Sequence, residues 1–200
     1  MKKKIALTVA SLFLMSSAAF AAPMTDYYPG KVSVDLSFRN TKNSYGGDGF
    51  KSRYNFEPSF TFGLTNNLAL QYRSVNAKSG GSPSLKLNVT EFNVLYGLTP
   101  QVSAFGGFIK TKGTLAGSSD DRNTMQLGLL STIPVARKVS LYGIIGAGDK
   151  WTNSEVGVSY IFADNWEFNL DYRYMNAKKL LYKNDVKAKG LGFGVTYKFY

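Results

Sequence analysis

The sequence predicts an all-β chain: an antiparallel up-and-down transmembrane β-barrel of ten strands, with eight as the alternative. Three observations lead there. Strand-length segments alternate apolar and polar residues with a period of two. The connections between them alternate between short and longer. Past residue 22, no run of 18 apolar residues offers a transmembrane helix.

The first 21 residues read as a cleaved secretory signal, leaving residues 22–200 for the barrel. Lys2, Lys3 and Lys4 form a positive start, Ile5 to Met15 a short apolar core, and Ala19-Phe20-Ala21 a small-x-small site for cleavage after Ala21. In the mature chain, Val32, Val34, Leu36 and Phe38 alternate with Ser33, Asp35, Ser37 and Arg39. Tyr54, Phe56, Phe60 and Phe62 alternate with Asn55, Glu57, Ser59 and Thr61. Val156, Val158, Tyr160 and Phe162 continue the pattern, as do Trp166, Phe168, Leu170, Tyr172 and Tyr174 against Glu167, Asn169, Asp171 and Arg173. The last segment sets Leu191, Phe193, Val195, Tyr197 and Phe199 against glycines, Thr196 and Lys198. One face is apolar and aromatic, the other small, polar or charged.

Tight turns are expected near 65–67, 99–101, 136–138 and 163–165. Longer connections are expected near 40–51, 77–85, 112–123, 149–153 and 176–187. Short turns at one end and longer loops at the other are the pattern of barrels with periplasmic turns and external loops. Four of one and five of the other give ten strands. Residues 102–111 and 139–148 lack a clean two-face pattern, and a bulge or a small-residue kink is expected there.

Composition narrows function. The chain carries 24 Lys+Arg against 13 Asp+Glu, a formal charge of +11, with neither cysteine nor histidine. Disulfides, thiolate metal sites and histidine-based catalysis are thereby excluded. No catalytic residue, metal or cofactor is assigned. Gly143, Gly146 and Gly148 lack the following Lys-Ser/Thr and helix of a phosphate loop. The secretory signal and the lack of a nucleic-acid-binding motif argue against nucleic acid.

The stretch GVSYIFADNWEFNLDYRYMNA, followed by GLGFGVTYKFY, resembles the last hairpin and closing strand of small outer-membrane-protein-A-like and opacity-type barrels. The resemblance covers roughly residues 154–200. It implies location in the outer membrane of a Gram-negative-type bacterium. It also implies a C-terminal aromatic signal, here Tyr197 and Phe199, read by the barrel-assembly machinery; Tyr200 adds one residue beyond it.

Two groups of residues are candidates for a role. Asp35, Arg39, Glu57, Arg73, Glu91, Glu155, Glu167, Asp171 and Arg173 all fall on the polar face and are expected to form a charge network across the lumen. If Ala163-Asp164-Asn165 is a three-residue connection, residues whose numbers sum to 328 lie opposite one another, which pairs Glu155 with Arg173. Glu57 and Arg73 fall on a diagonal. The external connections hold 14 Lys and Arg against five Asp, densest at Lys178, Lys179, Lys183, Lys187 and Lys189. Such an excess suits outer-membrane lipid, lipopolysaccharide or another anionic polysaccharide. The function expected is a structural or surface-interaction barrel. A narrow porin-like channel is the alternative, and a soluble secreted barrel binding an apolar ligand is a third reading.

Overall fold

The computed structural model describes residues 23–199. The expected signal peptide, its cleavage site and Tyr200 lie outside them. The elements are β1 (Val32–Tyr45), the two-residue β2 (Asp48–Gly49), β3 (Arg53–Gly63), β4 (Leu68–Lys78), β5 (Leu85–Thr99), β6 (Val102–Leu115), β7 (Ser118–Ala136), β8 (Val139–Gly148), β9 (Trp151–Ala163), β10 (Trp166–Leu181) and β11 (Asn184–Phe199). Every neighbouring pair is antiparallel, and β11 returns to pair with β1 from Val32–Phe199 to Tyr45–Val186. Ten long strands therefore close a barrel, and β2 is a short extension folded onto the end of β1. Closure removes the sheet edges that hydrocarbon cannot hydrogen-bond.

The apolar face of the alternation points outward. Phe92, Phe108, Met125, Leu127, Ile145 and Val156 are exposed, with Leu127 at 74 %. Ten strands that expose large apolar side chains and bury Arg39 and Glu57 are a membrane protein's arrangement, the reverse of a soluble barrel's.

The connections depart from expectation. The short turns fall at 64–67, 100–101, 137–138 and 164–165. Three of the five external connections, however, are strands running on to two-residue tips at 116–117, 149–150 and 182–183. Positive φ at Ala116 and Gly117, and at Tyr182 and Lys183, is the backbone of a tight hairpin turn whose twist matches its strands. Sequence alone reads polar, glycine-bearing stretches as loops, yet paired polar strands are what these are.

Residues 102–111 and 139–148 hold regular pairing, with no bulge. Register shifts fall beside three of the short turns instead, between Gly97 and Thr99, between Pro134 and Ala136, and between Trp166 and Glu167. The two-face pattern is blurred because the inward face is itself partly apolar there: Phe105, Ile109, Tyr142 and Ile144 are buried inside the barrel.

The lumen is filled in three levels. At the external end lies an apolar core that includes Leu85, Leu87, Ile109, Trp151, Met175, Leu180 and Leu181. The middle is ionic. At the periplasmic end the segment 23–30, ahead of β1, folds back into the mouth. Met24 and Tyr27 pack there with Ala69, Leu95, Phe105, Leu130 and Ile144.

One wall is only partly zipped. The β3–β4 ladder runs from Ser59–Arg73 to Gly63–Ala69 and stops at Pro58, which has no N–H to donate. Side chains bridge the unladdered stretch. Asn55 donates to the Lys78 carbonyl at 3.1 Å and accepts from its N–H at 3.0 Å, and Asn43 donates to the carbonyls of Ala77 and Leu85 at 2.7 and 3.1 Å.

Candidate functional site

The middle of the lumen holds a relay of alternating charges. Arg73 bonds Glu155. Glu155 accepts from Arg173 Nε at 2.6 Å, and Arg173 donates from its other end to Glu57 at 2.7 Å. Glu57 also accepts from Arg39 Nε at 3.0 Å, and Arg39 reaches Asp171 at 2.5 Å. Six side chains from β4, β9, β10, β3 and β1 thus form one chain across the barrel. The strands supply this geometry because each residue shares the inward parity of its strand.

Register sets which residues stand directly opposite one another. Glu155 and Arg173 are directly opposite, as are Arg73 and Glu91. The sum of 328 holds from Glu167–Ile161 onward, although Ala163, not Phe162, pairs with Trp166. Asn165 has φ +64°, so a tight turn followed by a bulge absorbs Phe162 and leaves the rest of the register intact. Glu57 sits on the diagonal from Arg73, but bonds Arg39 and Arg173 instead.

Two glycines make room for side chains in the lumen, one of them Arg39 of the relay. A Cβ at Gly192 would stand 2.8 Å from the Arg39 guanidinium, and one at Gly157 would stand 2.4 Å from the Tyr142 ring. Arg39 also donates to the Gly190 carbonyl at 3.2 Å.

The remaining three sequence candidates stand apart from the relay. Glu91 is held by amides: Gln126 donates to it at 3.2 Å and Asn93 at 3.5 Å. Asp35 accepts hydroxyls from Ser59 and Thr196. Glu167 bonds Lys198 at 3.0 Å, nearer the periplasmic end. Sequence reading missed Lys198 and Lys31, both 2 % exposed, and the amides Asn93 and Gln126. Lys198 shares the inward parity of Thr196 and Gly194, a signal that was legible. Lys31, directly ahead of Val32, continues the odd-numbered polar face of Ser33 and Asp35 and was legible on the same ground. It pairs with Asp26, and burial pushes its ammonium below the ordinary range.

The periplasmic plug is tied down by polar bonds. Thr25 donates to the Pro100 carbonyl at 2.9 Å, Tyr27 to Ser103 Oγ at 2.9 Å, and Thr132 to the Pro23 carbonyl at 3.2 Å. Burial pushes the Tyr27 phenol up to about 12.

The basic residues form a rim rather than a set of loops. Lys187 and Lys189 lie on the outer face of β11, alternating with buried Val186 and Ala188. Lys178 and Lys179 lie on the bulged end of β10, and Lys183 is at the hairpin tip. Lys189 is directly opposite Lys42 on β1, and Lys78 on β4 is directly opposite Lys86 on β5. At the closing end, Tyr197 lies between Trp166 and Phe199 with ring centroids 4.7 and 4.5 Å away, and Phe199 faces outward. Among the described residues no group of three or more acidic, cysteine or histidine side chains is placed to hold a metal ion.

Among solved structures, the chain resembles the outer membrane protease OmpT of Escherichia coli at 8 % identity, covering 92 % of this chain and 99 % of that one, with a TM-score of 0.61. Neisserial surface protein A matches at 20 % identity over 84 % of this chain and 96 % of that one, TM-score 0.49. The Ail attachment invasion protein of Yersinia pestis matches at 16 % over 86 % and 99 %, TM-score 0.45. At 8 % identity the likeness to OmpT concerns the fold alone. No curated protein sequence matches the chain. The profile of the outer membrane protein beta-barrel domain matches residues 8–199. The chain belongs to that family and is an integral outer-membrane β-barrel.

Proposed function

We propose that this barrel is a closed, non-enzymatic surface protein whose external basic rim binds anionic envelope glycolipid or polysaccharide through phosphate and carboxylate groups. The observation that carries the reading is the cross-strand pairing of Lys42 with Lys189, beside Lys187, on the outward face. Like charges directly opposite in a sheet are destabilising by themselves. An anion between them reverses the sign of that interaction, and the outer face at the external rim is where lipid headgroups lie.

The filled lumen supports a closed barrel over the channel alternative. Ten strands lie near the size that side chains can fill. The relay, the apolar core above it and the plug below it leave a cavity of about 50 Å³ beside the relay, room for a water or two. Residues 1–21 serve as the signal peptide in this reading, and Tyr197 and Phe199 present the closing strand to the assembly machinery.

The test is binding of the detergent-solubilised protein to lipopolysaccharide-containing vesicles across a salt series. Lys42→Gln with Lys189→Gln should weaken binding and flatten its salt dependence, because exposed charges are screened within about 8 Å at physiological ionic strength. Binding that ignores both salt and these substitutions refutes the rim. A stable, large single-channel conductance in planar bilayers would favour the channel instead.

A further inference from the structure

The relay draws its charges from β1, β3, β4, β9 and β10. The other half of the wall is built differently. Among the described residues, Glu91 is the only charged side chain that β5 to β8 bury. Arg73 stands directly opposite it, but the Arg73 guanidinium is committed to Glu155. Glu91 is 2 % exposed and is held by the amides of Gln126 and Asn93, with no ion pair to a described Lys or Arg.

Those amides leave oxygens over. Gln126 Nε2 donates to Glu91 Oε2 at 3.2 Å and to Asn93 Oδ1 at 2.8 Å, which fixes the direction of its amide. The Gln126 carbonyl is turned the other way, 3.2 Å from where a Cβ on Gly146 would stand. Gly146 is directly opposite Asn153 of β9, and opposed residues have Cβ positions about 4.5–5.5 Å apart. Gln126 and Asn153 therefore share the space that Gly146 leaves. Gly107 clears the neighbouring gap. It is directly opposite both Asn93 and Gln126, and a Cβ there would stand 2.3 Å from Asn93 Oδ1. Three oxygens of this cluster, Glu91 Oε1, Gln126 Oε1 and Asn153 Oδ1, are buried and have no hydrogen-bond partner. Gln126 is 2 % exposed and Asn153 4 %. Buried acceptors left in this way are costly unless a donor or a cation meets them.

We propose that Glu91, Gln126 and Asn153 form a binding site for one alkali cation, sodium or potassium. The donor set is all oxygen, which suits a hard cation, and it brings one negative charge. A single carboxylate with Arg73 opposite it suits a monovalent ion over a divalent one, whose sites gain affinity with the number of anionic ligands. The bound cation ties β5, β7 and β9 together across the glycine-bearing strands β6 and β8, as the relay ties the other half of the barrel. The site is independent of the external rim, which is built for anions.

The experiment is urea unfolding of the refolded protein in a neutral detergent at constant ionic strength. Sodium or potassium chloride is replaced stepwise by N-methylglucamine chloride, whose organic cation is too large for a pocket between side chains. The midpoint should rise with alkali concentration, approaching about 0.5–1.4 M urea per tenfold once the site is near saturation. Glu91→Gln removes the charge at nearly constant shape and should flatten this dependence. Gly146→Ala leaves all three oxygens in place, but sets a methyl 3.2 Å from Gln126 Oε1, and should flatten it too. Crystals of the wild-type protein grown with thallium(I), a heavy stand-in for potassium, should show an anomalous peak between Glu91, Gln126 and Asn153.

A wild-type midpoint indifferent to the alkali cation overturns the proposal, and assigns the three oxygens to water or to a protonated Glu91. A dependence that survives both substitutions also overturns it, because the cation then acts elsewhere. If either variant fails to fold, the wild-type salt series and the thallium peak decide, and a peak only at other positions refutes the site.

Discussion

Arg173 is the residue on which the ionic level depends most. It donates at 2.6 Å to Glu155 and at 2.7 Å to Glu57, and it is 4 % exposed. Arg173→Ala removes both bonds and leaves the relay's three carboxylates to two guanidiniums. Glu155 retains Arg73 and Glu57 retains Arg39, so neither anion is stranded. Charge-assisted hydrogen bonds contribute about 1.5–3 kcal/mol each, and two of them are lost. A loss of about 3–5 kcal/mol is expected. With a urea slope of roughly 1–3 kcal/mol/M, the unfolding midpoint should fall by about 2 M. The assay is urea unfolding in detergent micelles, followed by the mobility of unboiled samples. A loss under about 1 kcal/mol, the scale of a surface ion pair, would refute the relay as a stabilising element. The relay also predicts failure of a rescue that an isolated pair would permit. Exchanging the charges, Glu155→Arg with Arg173→Glu, sets the new cation against Arg73 and the new anion against Glu57, so stability should not recover.

Three further outcomes follow from the same geometry. Gly192→Ala places a methyl 2.8 Å from a guanidinium pinned between Glu57 and Asp171, and should cost about 1–3 kcal/mol in the same urea assay. Asn43→Ala strips the carbonyls of Ala77 and Leu85 of a shared donor where β3 and β4 are unladdered. It should cost about 1–3 kcal/mol and admit protease to the external end of β4 before global unfolding. Tyr27 is held neutral by burial up to about 12 against an ordinary 10, so the folded state keeps its proton longer than the unfolded state does. Its contribution is therefore full below pH 10 and is lost as pH rises through 12. Absorbance titration of wild type minus Tyr27→Phe should show a midpoint near 12, and a midpoint near 10 would place the phenol in solvent.

Architecture was legible because a membrane barrel writes its two faces into alternate residues. Strand parity put all nine charged candidates on the inward side, and one turn fixed the register of Glu155 with Arg173 although the turn itself was misjudged by a residue. The error cancelled because the bulge at Phe162 consumed the residue that the shorter turn released. What parity does not encode is who bonds whom across the lumen. Arg73 bonds Glu155 on β9 rather than Glu57 on the neighbouring strand. That choice depends on side chains from opposite walls meeting in a narrow space. The apolar upper lumen was hidden for a different reason. Leu85, Leu87 and Val89 face inward from β5, and Phe92, Val94 and Tyr96 face outward. Hydrophobicity alone has no means of telling an inner core from a lipid face. Met24 and Tyr27 were hidden because a plug ahead of the first strand has no period to read.

The apolar core has a consequence for what the outside of the cell meets. Strands β10 and β11 are each 16 residues long and β7 is 19. At about 3.3 Å per residue and a tilt near 40°, 16 residues rise roughly 40 Å, well beyond the apolar band of about 25 Å. The excess stands outside the bilayer, and there the barrel is built as a soluble protein is. Leu85, Leu87, Trp151, Met175, Leu180 and Leu181 lie inside, while Lys42, Lys187 and Lys189 lie outside. Arg122 ties two hairpins together by donating to the carbonyls of Lys178 and Lys179 at 2.7 and 2.8 Å. A lysine on such a packed strand loses little backbone freedom when it meets an anion, whereas one on a loop must be ordered first. Under the proposed function, the rim favours partners that repeat at fixed spacing, such as the phosphates of packed glycolipids. Its affinity should accordingly fall in steps as neighbouring lysines are removed in register, Lys42 with Lys189 and then Lys78 with Lys86. Neutralising the same number of charges at the hairpin tips, Lys150 and Lys183, should matter less, and equal losses from rim and tips would show that net charge alone decides.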